Sequence, residues 1–148
     1  MSYQERRALV SFFSALLIPA LYAAAVLPSY PAGSDYSPEV FHFWGRFILT
    51  LIVVSIVARI AIFIVFSILN TIATREAEPE ISDERDRMIE LKAGRIALYI
   101  FSVGFLLAMF LLVLSQPPSV MFLALLGAGL ASDAASELAQ FFYYRRGF

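Results

Sequence analysis

Residues Phe47 to Leu69 read FILTLIVVSIVARIAIFIVFSIL, 23 residues with a single charge, Arg59, in the middle. At 1.5 Å of rise per residue such a run crosses the ~30 Å hydrocarbon layer of a bilayer. An arginine at mid-depth costs roughly 2.5–3.5 kcal/mol on insertion scales, so it must face protein or a water-filled cavity and find a partner. Counting from Trp44, Arg59 lies about 22 Å inward. The apolar run from Val120 to Tyr144 carries Asp133 and Glu137. Counting from Pro118, Asp133 also lies about 22 Å inward, and Glu137 is one helical turn deeper. The expected partner of Arg59 is therefore Asp133, with Glu137 within reach.

The rest of the chain supports a membrane setting. Of its 148 residues 60% are hydrophobic and 16% charged, where soluble domains are about half apolar and a quarter charged. The net charge of −1 gives no field for direct nucleic-acid binding. Without cysteine there are no disulfides, thiolate metal sites or thiol nucleophiles. His42 is the one histidine. It forms Glu39-x-x-His42, a spacing used in di-iron bundles, but in one copy only, so no metal and no cofactor is expected. No nucleotide or hydrolase fingerprint occurs, and no nucleophile can be paired with a base, so an enzyme is not expected.

Four spans follow, at about 8–27, 44–73, 95–115 and 119–142. The first resembles a signal peptide in its basic start and its Ala23, Ala24 and Ala25, but a retained helix, kinked at Pro19, is expected. Pro28 to Phe43 is a turn-rich loop, and Pro117 and Pro118 bound a tight turn. Residues 75–94, REAEPEISDERDRMIELKAG, form the longest polar stretch, in which acids outnumber bases. Ser82 is the expected cap of a helix that continues unbroken into the third span, with Asp83 and Arg87 an i,i+4 pair. Arg6, Arg7, Arg75, Arg85, Arg87, Lys92, Arg95, Arg145 and Arg146 all fall on one side of this layout. The positive-inside rule then makes both termini and the 75–94 loop cytoplasmic. The expected fold is all-α, an integral membrane four-helix bundle forming one domain in the cell inner membrane.

Ser55, Arg59 and Asn70 lie on one face of the second helix, and Gly129, Asp133, Ser136, Glu137 and Gln140 form a stripe on the fourth. The two stripes are expected to meet, as structural glue or as a polar site. Gly127, Ala131, Ala135 and Ala139 repeat every four residues, which allows close helix approach. Packing inside the chain is expected, with a homo-oligomer as the alternative; Gly104 and Ala108 do the same on the third helix.

The stretch ISDERDRMIELKAGRIALYIF, Ile81 to Phe101, resembles a segment of small prokaryotic membrane proteins grouped under a domain of unknown function. In these an Asp-Glu-Arg-Asp run leads into a transmembrane helix. The resemblance implies an inner-membrane protein and supplies no catalytic residues. The first expectation for function is a non-enzymatic structural or regulatory protein, in contact with lipid, that presents Asp83, Glu84, Arg85, Asp86 and Arg87 to a cytosolic protein partner. The alternative is a small ion-coupled transporter or channel-like subunit built on Arg59, Asp133 and Glu137.

Overall fold

A computed structural model describes residues 3–74 and 83–146. It contains four long α-helices: α1, Tyr3–Val26; α2, Pro38–Thr74; α3, Glu84–Val113; and α4, Pro118–Arg146. Among the described residues there is no strand, and each of the four helices is long and apolar enough to cross a membrane. A short 3-10 turn, Leu27–Ser29, follows α1.

Local chemistry explains the helix boundaries, which differ from the sequence expectation at three starts. α1 begins at Tyr3 and takes Glu5, Arg6 and Arg7 into the helix. It runs through Pro19, which is buried. α2 starts six residues before Trp44 because Ser37 and Pro38 form a start signal. The Ser37 hydroxyl accepts the Val40 N–H at 3.4 Å, and Pro38 takes the first helical position, where a missing N–H does no harm. α3 is capped by Asp83, whose carboxylate accepts the Glu84 N–H at 2.7 Å. The expected cap, Ser82, lies outside the described residues, as do the other residues of 75–82. α3 then continues unbroken past Gly94, as its sequence led us to expect.

The turn between α3 and α4 is closed by two backbone bonds, from Gln116 N–H to Leu111 O at 3.1 Å and from Ser115 N–H to Leu112 O at 3.0 Å. This pairing requires a left-handed residue after the helix, a place usually taken by glycine. Here Ser115 occupies it at φ 57°. Ser115→Gly is therefore expected to stabilise the protein by about 1 kcal/mol, the cost of a side chain in that region, read as a raised melting temperature.

α4 is the central helix. It packs closely on α3 along one side and on α1 along another, and α1 in turn carries α2. Among the described residues the backbones of α2 and α3 nowhere approach within 8 Å. The bundle is therefore open between α2 and α3. Close packing of α3 on α4 depends on small residues: Gly104 lies directly over Ala128, and Ala93, Ala108, Ala128 and Ser132 are buried. The Ser132 hydroxyl donates to the Ala97 carbonyl at 2.9 Å. This corrects the expected α4 face. Gly127 and Ala131 are exposed, and the buried series lies one residue later, at Ala128 and Ser132. The Gly104 and Ala108 side of the expectation agrees with what is observed.

The end of the bundle that holds the 28–37 loop has its own core, made by Val40, Trp44, Phe47 and Leu51 of α2 against Tyr22 and Val26 of α1 and Phe122 of α4. Trp44 and Phe122 stack at 5.7 Å. Tyr30 and Ser119 share a 2.6 Å hydrogen bond that ties the loop to the start of α4. The other end, the basic end, gathers Arg6 and Arg7 of α1, Arg85, Arg87, Lys92 and Arg95 of α3, and Arg145 and Arg146 of α4.

Candidate functional site

An arginine in the middle of an apolar helix is tolerated only against a countercharge. Arg59 of α2 reaches across to α4, where its guanidinium Nη2 donates to Asp133 Oδ2. The equal depths of the two residues make this contact possible: Arg59 is 15 residues beyond Trp44 and Asp133 15 beyond Pro118, and Trp44 stacks on Phe122 near the start of α4. The pair is not sealed in protein. The Asp133 side chain keeps 41% of its surface exposed and the Arg59 side chain 26%.

Two cavities meet at this pair. Toward the basic end, a polar chamber of about 380 Å³ lies among all four helices. Its charged lining is Arg7 of α1, Arg59 of α2, Glu90 of α3 and Glu137 of α4, and Gln140 and Tyr144 also line it. Ser11, buried on α1, hydrogen-bonds the Glu137 carboxylate. The Arg7 guanidinium lies 5.5 Å from the Phe63 ring centroid, within cation–π range. Toward the opposite end, a cleft of about 700 Å³ fills the gap between α2 and α3. Ile52 and Ile56 form one wall, Phe101 and Phe105 the other, and Leu126 and Leu130 of α4 the back. Arg59 lines both spaces, and Asp133 lines the cleft. The ion pair thus stands at the boundary between a polar compartment and an apolar one.

The sequence-derived candidates divide accordingly. Arg59, Asp133, Glu137 and Gln140 come together, and Ser55 lines the cleft beside them. Ser136 is half-buried on α4 and lines neither space. Asn70 shares the face of Arg59 but is three turns nearer the basic end, where it accepts a hydrogen bond from Arg6 at 3.2 Å. Asn70 therefore does not belong to the Arg59 cluster: a common helical face does not bring together residues 11 positions apart, about 16 Å along the axis. Arg7, Ser11 and Glu90 were not among the candidates. Arg7 and Ser11 are one turn apart, a signal visible once α1 is taken to start at Tyr3.

The five candidates of the partner-binding segment also divide. Asp83, Glu84, Arg85 and Arg87 are exposed. Asp86 is turned into the bundle, where it accepts from Gln4 of α1 at 3.3 Å and bonds the Tyr144 hydroxyl of α4. Glu39 and His42 lie at the opposite end with Arg46, around a surface pocket beside Tyr22 and Phe43. Compared with known protein families, with curated proteins and with solved structures, the chain matches none.

Proposed function

We propose that the chain is a multi-pass protein of the inner membrane, with both termini and the 75–94 segment in the cytoplasm. In this setting the polar chamber is a vestibule facing the cytoplasm, the cleft faces lipid, and the Arg59–Asp133 pair separates them. The function this supports is that of a small ion-coupled transporter or channel-like subunit. The observation that carries it is the position of Arg59, which lines a polar chamber on one side and an apolar cleft on the other. A pair serving as glue alone needs no chamber beside it, and ionisable groups inside a membrane that line a cavity mark substrate or ion paths. α2, at 37 residues and about 55 Å, is longer than the bilayer core and either tilts or protrudes.

A second reading rests on its own observation. Asp83, Glu84, Arg85 and Arg87 form an exposed charged surface at the start of α3, fit for a cytosolic protein partner. In that reading these charges matter for function and the Arg59 pair only for stability. The involvement of Asp86 in contacts within the bundle takes one residue away from such a surface.

The chain has no cysteine, so single cysteines report cleanly. Gln140→Cys in the chamber is expected to react with a membrane-impermeant maleimide from the cytoplasmic side only. Ser34→Cys in the 28–37 loop is expected to react from the opposite side only, and Ser55→Cys in the cleft from neither. Labelling of Gln140→Cys and Ser34→Cys from the same side would overturn the topology. Protection of Gln140→Cys from both sides would overturn the vestibule.

A further inference from the structure

The cleft holds one more piece of chemistry. Its apolar walls end on a carboxylate that is only half satisfied. Asp133 Oδ2 takes the Arg59 guanidinium, and no donor among the described residues reaches Oδ1. Asp133 also keeps a larger share of its side chain exposed than Arg59 does. The charges around the pair, one or two from each helix, are Arg7, Arg59, Glu90, Asp133 and Glu137. Arg7, Glu90 and Glu137 lie on the chamber side, and the charged lining of the cleft is the Arg59–Asp133 pair, so the charge left open to an occupant of the cleft is the second oxygen of Asp133. Phe101 and Phe105 add two aromatic rings to the α3 wall, and a cation near a ring face gains about 0.5–2 kcal/mol.

We propose that the cleft between α2 and α3 binds an amphiphilic organic cation, a quaternary ammonium or arylphosphonium type of molecule, that enters sideways from the bilayer. The apolar body lies between the isoleucines of α2 and the phenylalanines of α3, and the positive centre sits against Asp133 Oδ1. The space, about 700 Å³, falls within the roughly 300–1,000 Å³ of pockets that enclose a drug-sized ligand. An anion of the same shape would meet the carboxylate, and a bare acyl chain would leave it unsatisfied in a low-dielectric cleft. The gap between α2 and α3 provides a lateral path that needs no opening of packed helices. This proposal rests on the lipid-facing setting of the cleft and names the substrate class of the same site.

The test uses two ions of matching shape and opposite charge, tetraphenylphosphonium and tetraphenylborate. The full chain is placed in phosphatidylcholine nanodiscs, and binding is measured by equilibrium dialysis against empty discs. Saturable binding of tetraphenylphosphonium near one per chain is expected, with tetraphenylborate no higher than in empty discs. Asp133→Asn is expected to weaken the cation by roughly tenfold or more, a loss of one charge contact. Ile52→Trp fills the cleft and leaves both charges in place. It is expected to abolish binding at an unchanged melting temperature, so the test stands even if the Asp133 variant fails to fold. Equal binding of the two ions, or no saturable binding of either by folded protein, overturns the proposal. Cysteine accessibility of the chamber is scored separately, so a correct topology with no cation binding removes this inference alone.

Discussion

Arg59→Leu is expected to lower stability in detergent by about 3 kcal/mol, with Asp133→Leu similar and the double variant recovering much of the loss. The arginine cannot lose its proton in a protein, so removing Asp133 leaves a full charge against apolar walls. Removing Arg59 instead strands a carboxylate between Leu130 and the cleft. Breaking one side of a buried pair costs roughly 3–5 kcal/mol in soluble proteins. Here both side chains keep some exposure, which puts the value at the lower end. The double change leaves two apolar side chains on facing helices, a replacement that is often neutral. A double-mutant cycle on thermal unfolding measures the coupling, with Glu137→Gln as control. Glu137 bonds Ser11 and lies in the chamber, and glutamine can keep that bond, so the control is expected to change stability by less than about 1 kcal/mol. Additive losses for the two leucine variants would show that Arg59 and Asp133 are not coupled, and would remove the ion pair from both functional readings.

The pairing of Arg59 with Asp133 was legible because a helix is a ruler. Rise per residue counted from Trp44 and Pro118 gives depth, and depth with polarity gives the partner; the count holds although α2 starts at Pro38, because Trp44 stacks on Phe122 near the start of α4. The order of the helices was not legible. The one signal for α4 as the central helix is its lower mean hydropathy, 1.5 against 2.7 for α3, and hydropathy alone does not say which helices it touches. The α4 face was misplaced for a definite reason. Gly127, Ala131, Ala135 and Ala139 repeat every four residues, but so do Ala124, Ala128, Ser132 and Ser136. Two small-residue stripes side by side satisfy the same spacing rule, and only Gly104, which needs a small residue opposite, selects the second. The two cavities were likewise invisible. They arise because α2 packs on α1, through its Trp44 end and through Phe63, Phe66 and Asn70 at the other, and stands away from α3, a matter of helix placement that no single helix records.

Gly104→Leu is expected to be the most disruptive change on the face between α3 and α4, lowering stability by about 3 kcal/mol, the upper part of the range for overpacking. Even a Cβ at Gly104 would collide with the Ala128 side chain and crowd its backbone. Gly104→Ala sets two effects against each other. Alanine gains up to about 1 kcal/mol of helix propensity, but the new methyl meets Ala128 directly, and a net loss is expected. The contact is backbone on backbone, so no long side chain can move aside to relieve it. Ser132 is one turn from Ala128, and its hydrogen bond to the Ala97 carbonyl fixes the two helices at this separation. A wedge at Gly104 therefore stretches that bond as well as the packing. Gly127→Leu provides the contrast. A Cβ there meets nothing within 4 Å, so stability and mass in detergent are expected to stay unchanged. If Gly127→Leu instead abolished crosslinking between two chains, the exposed stripe would be a face between copies. If Gly104→Leu left the melting temperature unchanged, the close approach of α3 and α4 would be wrong, and with it the position of α4 as the helix that carries Asp133 to Arg59.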